Sequence, residues 1–266
     1  MFSDPEIDVI YITTPHNTHM GFMKKAIANG KHILVEKSIT LNSSELDEVI
    51  TLANEKGVII GEAMTIYHMP IYKKLREILD SGKLGKVNLI TMNFGSFKEY
   101  DMSNRFFNKN LAGGAMLDIG VYALSFIRWF MDEKPTRLLS QVKSAPTGVD
   151  EQAGLLLMNG EGQMASVMLS LHSKQPKRGM VSCEKGYIEI MEYPRAWDAT
   201  ITYAESGETE VIREGENANA LAYELADMER AISGDAECMH LEYTKDVMDV
   251  MTAFRNEWGF KYPEEE

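Results

Sequence analysis

Residues Asp8 to Glu36 read DVIYITTPHNTHMGFMKKAIANGKHILVE, and the order of patterns in this stretch decides the fold. Asp8 to Ile12 is a short β-branched run without polar alternation, as in a strand covered on both faces. HMGFMKKAIANG, from His19, has helical spacing, and Gly30 stands where a left-handed C-terminal cap is needed. His32 to Glu36 (HILVE) is a second strand of the same kind. The pattern then repeats. SELDEVITLANEKG reads as a helix with Ser44 as N-cap, Asp47 three residues on as in a capping box, and Gly57 as its stop. Val58 to Glu62 (VIIGE) is a third strand. Strand, helix, strand, helix, strand with short connections predicts a right-handed parallel sheet. Ligands of such sheets collect outside the carboxyl ends of the strands. That rule selects Thr13, Thr14, Pro15, His16 and His19 after the first strand, Glu36, Lys37 and Ser38 after the second, and Glu62 and Ala63 after the third.

Beyond a helix opening near Pro70 the character changes. KVNLITMNFGSF, TRLLSQVKSA, QAGLLLMN, QMASVMLSLHS, GMVSCEKGYIEIM and WDATITYAE read as strands separated by turns, with few helices between them. A large, mainly antiparallel open sheet is expected there, so the fold class is α/β followed by α+β. Two helices, about 219–233 and 243–258, close the chain, and the acidic PEEE reads as a frayed tail. The expected division is 1–66 and 67–266, with the last helix packing back on the first domain.

Bulk properties narrow the function. The 27 Lys and Arg against 40 Asp and Glu give a net charge of −13 with no basic run, which argues against nucleic acid as a partner. No apolar run of membrane-spanning length and no leader pattern is read, so no membrane partner is expected. Cys183 and Cys238 are far apart without metal-ligand spacing. The expectation is a reduced, cytoplasmic protein. His16 and His19 are three apart but lack a carboxylate or cysteine set, so loop hydrogen bonding is expected of them and no metal.

A second decisive stretch is GGAMLDIGVYALSF, Gly113 to Phe126. Helical spacing puts Asp118 and Tyr122 on one face of an otherwise apolar helix, so both need partners or a cavity. Lys37, just after a parallel strand, is the candidate partner. An ammonium beside a tyrosine favours the phenolate and lowers its pKa, which makes a proton donor or acceptor for alcohol/carbonyl interconversion. Arg105 and His172 are further candidates for contact with substrate. The competing readings are a core tyrosine bonded to a capping aspartate, and a Glu36–Lys37 surface pair.

TPHNTH, EKS, GEAM and RFFNKNLAGGAMLDIGVY, in this order, resemble the glucose-fructose oxidoreductase/inositol dehydrogenase/rhizopine catabolism (Gfo/Idh/MocA) family, especially its dihydrodiol dehydrogenase-like branch. The resemblance implies a Rossmann domain binding NAD or NADP, and an NAD(P)-dependent oxidoreductase acting on the alcohol or carbonyl of a sugar, polyol or dihydrodiol. It implies that Thr14, Pro15 and His19 approach the nicotinamide, that Lys37 lies beside the reacting carbon, and that Asp118 and Tyr122 line the substrate side, Tyr122 transferring the proton. It also implies a homodimer or higher homo-oligomer formed through the open sheet.

Two departures stand out. Ser38 replaces the proline of the family's Glu-Lys-Pro, which is expected to loosen the backbone that aims Lys37. No G-x-G-x-x-G occurs among the 20 glycines, so an N-terminally truncated Rossmann sheet is expected, without its pyrophosphate anchor. The alternative reading is therefore a cofactor-less, non-catalytic binding or assembly protein of the same fold.

Overall fold

A computed structural model describes residues 1–266 and contains two sheets. The first holds β1 (Val9–Ile12), β2 (His32–Glu36) and β3 (Ile60–Ala63) in that order, all parallel, with Ile10 beside Ile33 and Leu34 beside Gly61. The crossover helices are α1 (His19–Ala28) and α2 (Ser43–Lys56), which pack on each other. Successive residues of a strand face opposite sides, and β2 shows why its run is apolar throughout. Ile33 and Val35 enter the main core, whereas Leu34 joins a smaller cluster with Met228, Ala231 and Met239 on the other face. The cap of α2 differs from expectation. Asn42, not Ser44, is the N-cap: its Oδ1 accepts from Glu45 N–H at 2.9 Å, and Glu45 Oε2 accepts from Leu41 N–H at 3.0 Å. Gly57 ends the helix at φ 65°.

After α3 (Thr65–His68), which spans the expected boundary, and α4 (Pro70–Asp80), the chain builds an eight-stranded sheet. Its strands are β4 (Val87–Gly95), β5 (Arg137–Ser144), β6 (Asp150–Met158), β7 (Met164–Ser170), β8 (Gln175–Cys183), β9 (Gly186–Met191), β10 (Asp198–Tyr203) and β11 (Thr209–Arg213). The spatial order is β11-β10-β9-β8-β4-β7-β6-β5, and only the β4–β7 pair is parallel. GMVSCEKGYIEIM, read as one segment, is two strands folded at Glu184–Lys185, and β11 was not anticipated.

One face of this sheet is covered by the helix of the GGAMLDIG stretch, a π-helical segment (Met116–Gly120) continuing as α5 (Val121–Phe130). Phe126 lies so close to Gly179 that a Cβ there would meet its ring at 2.5 Å. The other face is open and presents Leu139, Leu156 and Met168, at 66%, 39% and 51% exposure. The helical run 109–130 is long and apolar enough to cross a membrane, contrary to the sequence reading. Its apolar window is 83% buried within the fold, so its composition is that of a core helix.

The chain ends with α6 (Ala220–Ile232) and α7 (Leu241–Glu257). α7 packs on α5, α2 and β3, and one apolar core runs from Ile10 to Tyr262 across both sheets. The terminal residues are not frayed: Tyr262 is fully buried, and Pro263–Glu265 form a 3-10 turn.

Candidate active site

The helical stretch that bears Asp118 and Tyr122 starts where only glycines fit. A Cβ on Gly113 would meet the Phe106 carbonyl oxygen at 2.8 Å, and Gly114 has φ 124° with Asp150 Oδ1 directly where a Cβ would stand. Asp150 fills that space to cap the helix, its Oδ2 accepting the Met116 N–H at 2.5 Å. Burial pushes the Asp150 carboxyl up to about 7. The expected single α-helix is instead π-helical over Met116–Gly120, a form often found at functional sites. Asp118 lies in the π segment and Tyr122 in the first turn of α5.

Lys37 leaves the carboxyl end of β2 between them. Its Nζ donates to the Asp118 backbone oxygen at 2.6 Å and to Asp118 Oδ1 at 3.2 Å, and lies 4.9 Å from the centre of the Tyr122 ring. Arg105 Nη1 reaches the same Oδ1 at 3.2 Å. The competing Glu36–Lys37 pair does not form: Lys37 bonds Asp118, and Glu36 Oε1 accepts from the Tyr11 hydroxyl at 2.8 Å. Burial presses Lys37 towards its neutral form, but the Asp118 carboxylate outweighs this and holds its pKa above the usual lysine range. Burial also works against ionised Asp118, and Lys37 with Arg105 prevails and lowers its pKa.

Tyr122 corrects the sequence argument. Burial raises its pKa above the ordinary 10.0 despite Lys37, so the phenol is neutral at neutral pH. The geometry gives the reason: Lys37 spends two bonds on Asp118 and meets the tyrosine over its ring.

Ser38 is also held more firmly than expected. It is fully buried, with Oγ donating to the Leu117 carbonyl at 2.9 Å, so the residue in proline's place ties the Lys37 loop to the π segment. His19, buried behind the cleft, has Nε2 2.8 Å from the Thr14 oxygen and Nδ1 3.0 Å from the Ser38 oxygen, bracing the loops after β1 and β2. His16 sits between the Lys37 and Ala112 oxygens, at 3.0 and 3.3 Å. Burial and then Lys37 push His16 down to about 4, so at neutral pH the ring donates to only one of the two.

These groups enclose a cleft of about 290 Å³. Of the residues selected from the sequence, Thr13, Thr14, Pro15, His16, Glu36, Lys37, Arg105 and Asp118 line it. Tyr122 is not among the lining residues; it is half-buried, with its ring 4.9 Å from the ammonium of Lys37, which does line the cleft. Glu62 is buried below, accepting from Ile39 N–H and Thr244 Oγ1, both at 3.0 Å; burial pushes it up to about 7. His172 does not face the cleft. It packs against Tyr100, ring centres 3.9 Å apart, with Nδ1 2.8 Å from the Lys98 oxygen. Sequence reasoning missed Tyr11, Asp150, and the lining residues Phe106, Leu111, Ala112 and Gly113. The last four fall within the RFFNKNLAGGAM motif, where the paired glycines signal a place at which the backbone is approached closely.

No group of three or more His, Cys, Asp or Glu stands within metal-holding reach. Lys37, Arg105, Asp118 and Glu36 instead give donors and acceptors suited to hydroxyl, carbonyl and carboxamide oxygens and nitrogens. A nicotinamide carboxamide is one group that such a set of donors and acceptors could meet. No glycine loop for its pyrophosphate occurs in this sequence.

The parallel sheet followed by the large, mainly antiparallel sheet is the architecture against which the comparisons are set. Residues 1–64 match the oxidoreductase family with an NAD-binding Rossmann fold, and residues 72–189 match the GFO/IDH/MocA C-terminal domain. The chain belongs to this family of oxidoreductases. It is 32% identical over 188 residues to trans-1,2-dihydrobenzene-1,2-diol dehydrogenase of Xenopus tropicalis, covering 70% of this chain and 56% of that protein. The Mus musculus dehydrogenase of the same name is 32% identical over 192 residues, covering 71% and 56%. The chain therefore spans little more than half the length of these relatives. Among solved structures, a 3-ketoreductase from Actinomadura kijaniata in complex with NADP and TDP-benzene superposes with a TM-score of 0.84 at 18% identity, covering 96% of this chain and 79% of that one. An aldose-aldose oxidoreductase from Caulobacter crescentus gives 0.83 at 20% identity, covering 97% and 80%.

Proposed function

We propose that the cleft is the reacting end of an NAD(P)-dependent oxidoreductase that interconverts a secondary alcohol and a carbonyl on a sugar, polyol or dihydrodiol. The observation that carries this reading is the Lys37 ammonium, fixed by Asp118 at the carboxyl end of a parallel strand with the neutral Tyr122 phenol beside it. Thr13, Thr14, Pro15, His16 and Glu36 would hold the nicotinamide end, and the dinucleotide, NAD or NADP, supplies a hydride donor or acceptor when bound.

The chain's own residues orient the substrate and move the proton. Lys37 has donor capacity left beyond its two bonds to Asp118 and directs it at the substrate oxygen. Both cations act on Asp118 Oδ1, which fixes the ammonium and keeps it charged. In reduction, the neutral Tyr122 hydroxyl gives its proton to the developing alkoxide. In oxidation, the same hydroxyl must first lose that proton.

This predicts a pH profile with a definite sign. A raised tyrosine pKa leaves little phenolate at neutral pH, so kcat for alcohol oxidation should rise about tenfold per pH unit from neutrality to at least roughly pH 9.5. Reduction should be flat over that range. A steady-state series with NAD and NADP checks both, and an oxidation plateau by about pH 8 would remove Tyr122 as the proton-transfer group.

We also place a second copy of the chain on the open sheet face, because Leu139, Leu156 and Met168 expose apolar surface side by side there. Sedimentation should give at least twice the 30.0 kDa chain mass, and Leu139→Glu with Met168→Glu should return it to one. A wild-type monomer at micromolar concentration would contradict the assignment.

A further inference from the structure

We propose that the last five residues, Tyr262 to Glu266, act as a positioning strap that fastens the two walls of the cleft to each other. The reading of these residues as a frayed acidic tail fails on their contacts. Tyr262 is fully buried, and its hydroxyl donates to the Gly113 carbonyl at 2.7 Å, at the start of the helix that bears Asp118. Two residues on, Glu264 Oε1 accepts from Asn17 Nδ2 at 2.7 Å, next to His16 on the opposite wall. Asn17 Nδ2 also reaches the Asn110 oxygen at 3.2 Å, so the β1 loop, the 105–113 loop and the tail meet at one side chain.

Glu265 anchors the strap. Its two oxygens take Arg255 of α7 at 2.7 and 2.8 Å, a paired contact that gives direction as well as strength. Asn42 Nδ2 donates to Glu265 Oε1 at 2.8 Å, and the Tyr262 N–H to Oε2 at 2.8 Å. The terminal Glu266 meets Lys109 at 3.3 Å. Arg255 is itself 2% exposed and donates to the Leu41 carbonyl, so the anchor is built into the core. The tail thus touches the loop after β1, the cap of α2 and the loop before the π segment.

Asn17 and Gly113 adjoin residues that line the cleft, yet none of Tyr262, Glu264 and Glu265 lines it. These three are positioning residues. This inference does not depend on the hydride-transfer reading, because it can be measured without turnover.

Amide hydrogen exchange on the full chain tests it. Glu264→Ala removes an exposed side chain and should fold normally. It is expected to speed exchange of the Thr18 N–H, bonded to Pro15, by about five- to tenfold. Tyr262→Phe loses only the hydroxyl and should do the same for the Leu111, Ala112 and Gly113 amides, bonded to Asn108 and Lys109. Amides of β6, β7 and β8 should keep wild-type rates in both variants. Unchanged exchange at both walls would overturn the strap, and so would acceleration spread evenly over the sheet. A failure of the pH profile above would leave this result untouched.

Discussion

Lys37→Met should lower kcat by about 10²- to 10⁴-fold, the range for losing a group that assists proton transfer, while leaving the chain folded. The reason lies in what each partner keeps. Methionine keeps an unbranched apolar side chain one atom shorter than that of lysine, and Asp118 retains Arg105 at 3.2 Å, so no carboxylate is left without a cation. What disappears is the ammonium near the Tyr122 ring and the donor offered to the substrate oxygen. Because burial already raises the tyrosine pKa, with Lys37 the largest opposing influence, the variant should push it higher still. The rise of oxidation rate with pH should therefore move to higher pH as well as fall in height. Stopped-flow or steady-state rates in both directions, with circular dichroism as the check on folding, measure this. Turnover within about threefold of wild type would mean that Lys37 only bridges β2 and the π segment.

Asp118→Ala should act on stability first. It leaves the Lys37 ammonium, 13% exposed, beside only the backbone oxygen of residue 118. Breaking a buried pair from one side costs about 3 kcal/mol, roughly 6–12 °C in Tm for a chain of this size. The sign with pH follows from the two shifts. The Asp118 pKa is lowered, so its contribution is present above the ordinary 3.8 and is lost as pH falls through the folded value. The Lys37 pKa is raised, so its contribution is present below the ordinary 10.5 and is lost as pH rises through the folded value. The gap in Tm between wild type and variant should thus be widest and flat from roughly pH 5 to 10, and close on either side. Thermal melts across that range check it, and a constant gap down to about pH 2 would show that the pair contributes no charge term.

The parallel sheet was legible because its strands are covered on both faces and therefore carry unbroken β-branched runs, as Leu34 between Ile33 and Val35 shows. The cap of α2 was less so. Asn42, Ser43 and Ser44 all have capping side chains, and the choice fell to Asn42 because its Oδ1 reaches Glu45 N–H. The π segment left no mark in the sequence, and Asp150, which accepts the N–H of its first residue, lies far along the chain. Lys37 and Asp118 could be brought together on paper from the strand-end rule and the polar edge of one helix. The tyrosine pKa could not. Its sign depends on whether burial or Lys37 wins, and on Lys37 turning its bonds towards Asp118. The tail misled for a related reason. Three consecutive glutamates look solvated until Asn17, Asn42 and Arg255, scattered over the chain, are seen to converge on them.

In the proposed function this cleft receives the nicotinamide end of a dinucleotide against Lys37. The most direct test is titration of the intact 266-residue chain with NADH and NADPH, followed by nicotinamide fluorescence, in wild type and in Lys37→Met. Saturable binding of at least one of the two by the wild type is expected, with nicotinamide emission altered in the variant. Absence of saturable binding by folded wild-type protein, or identical affinity and emission in wild type and variant, would contradict it.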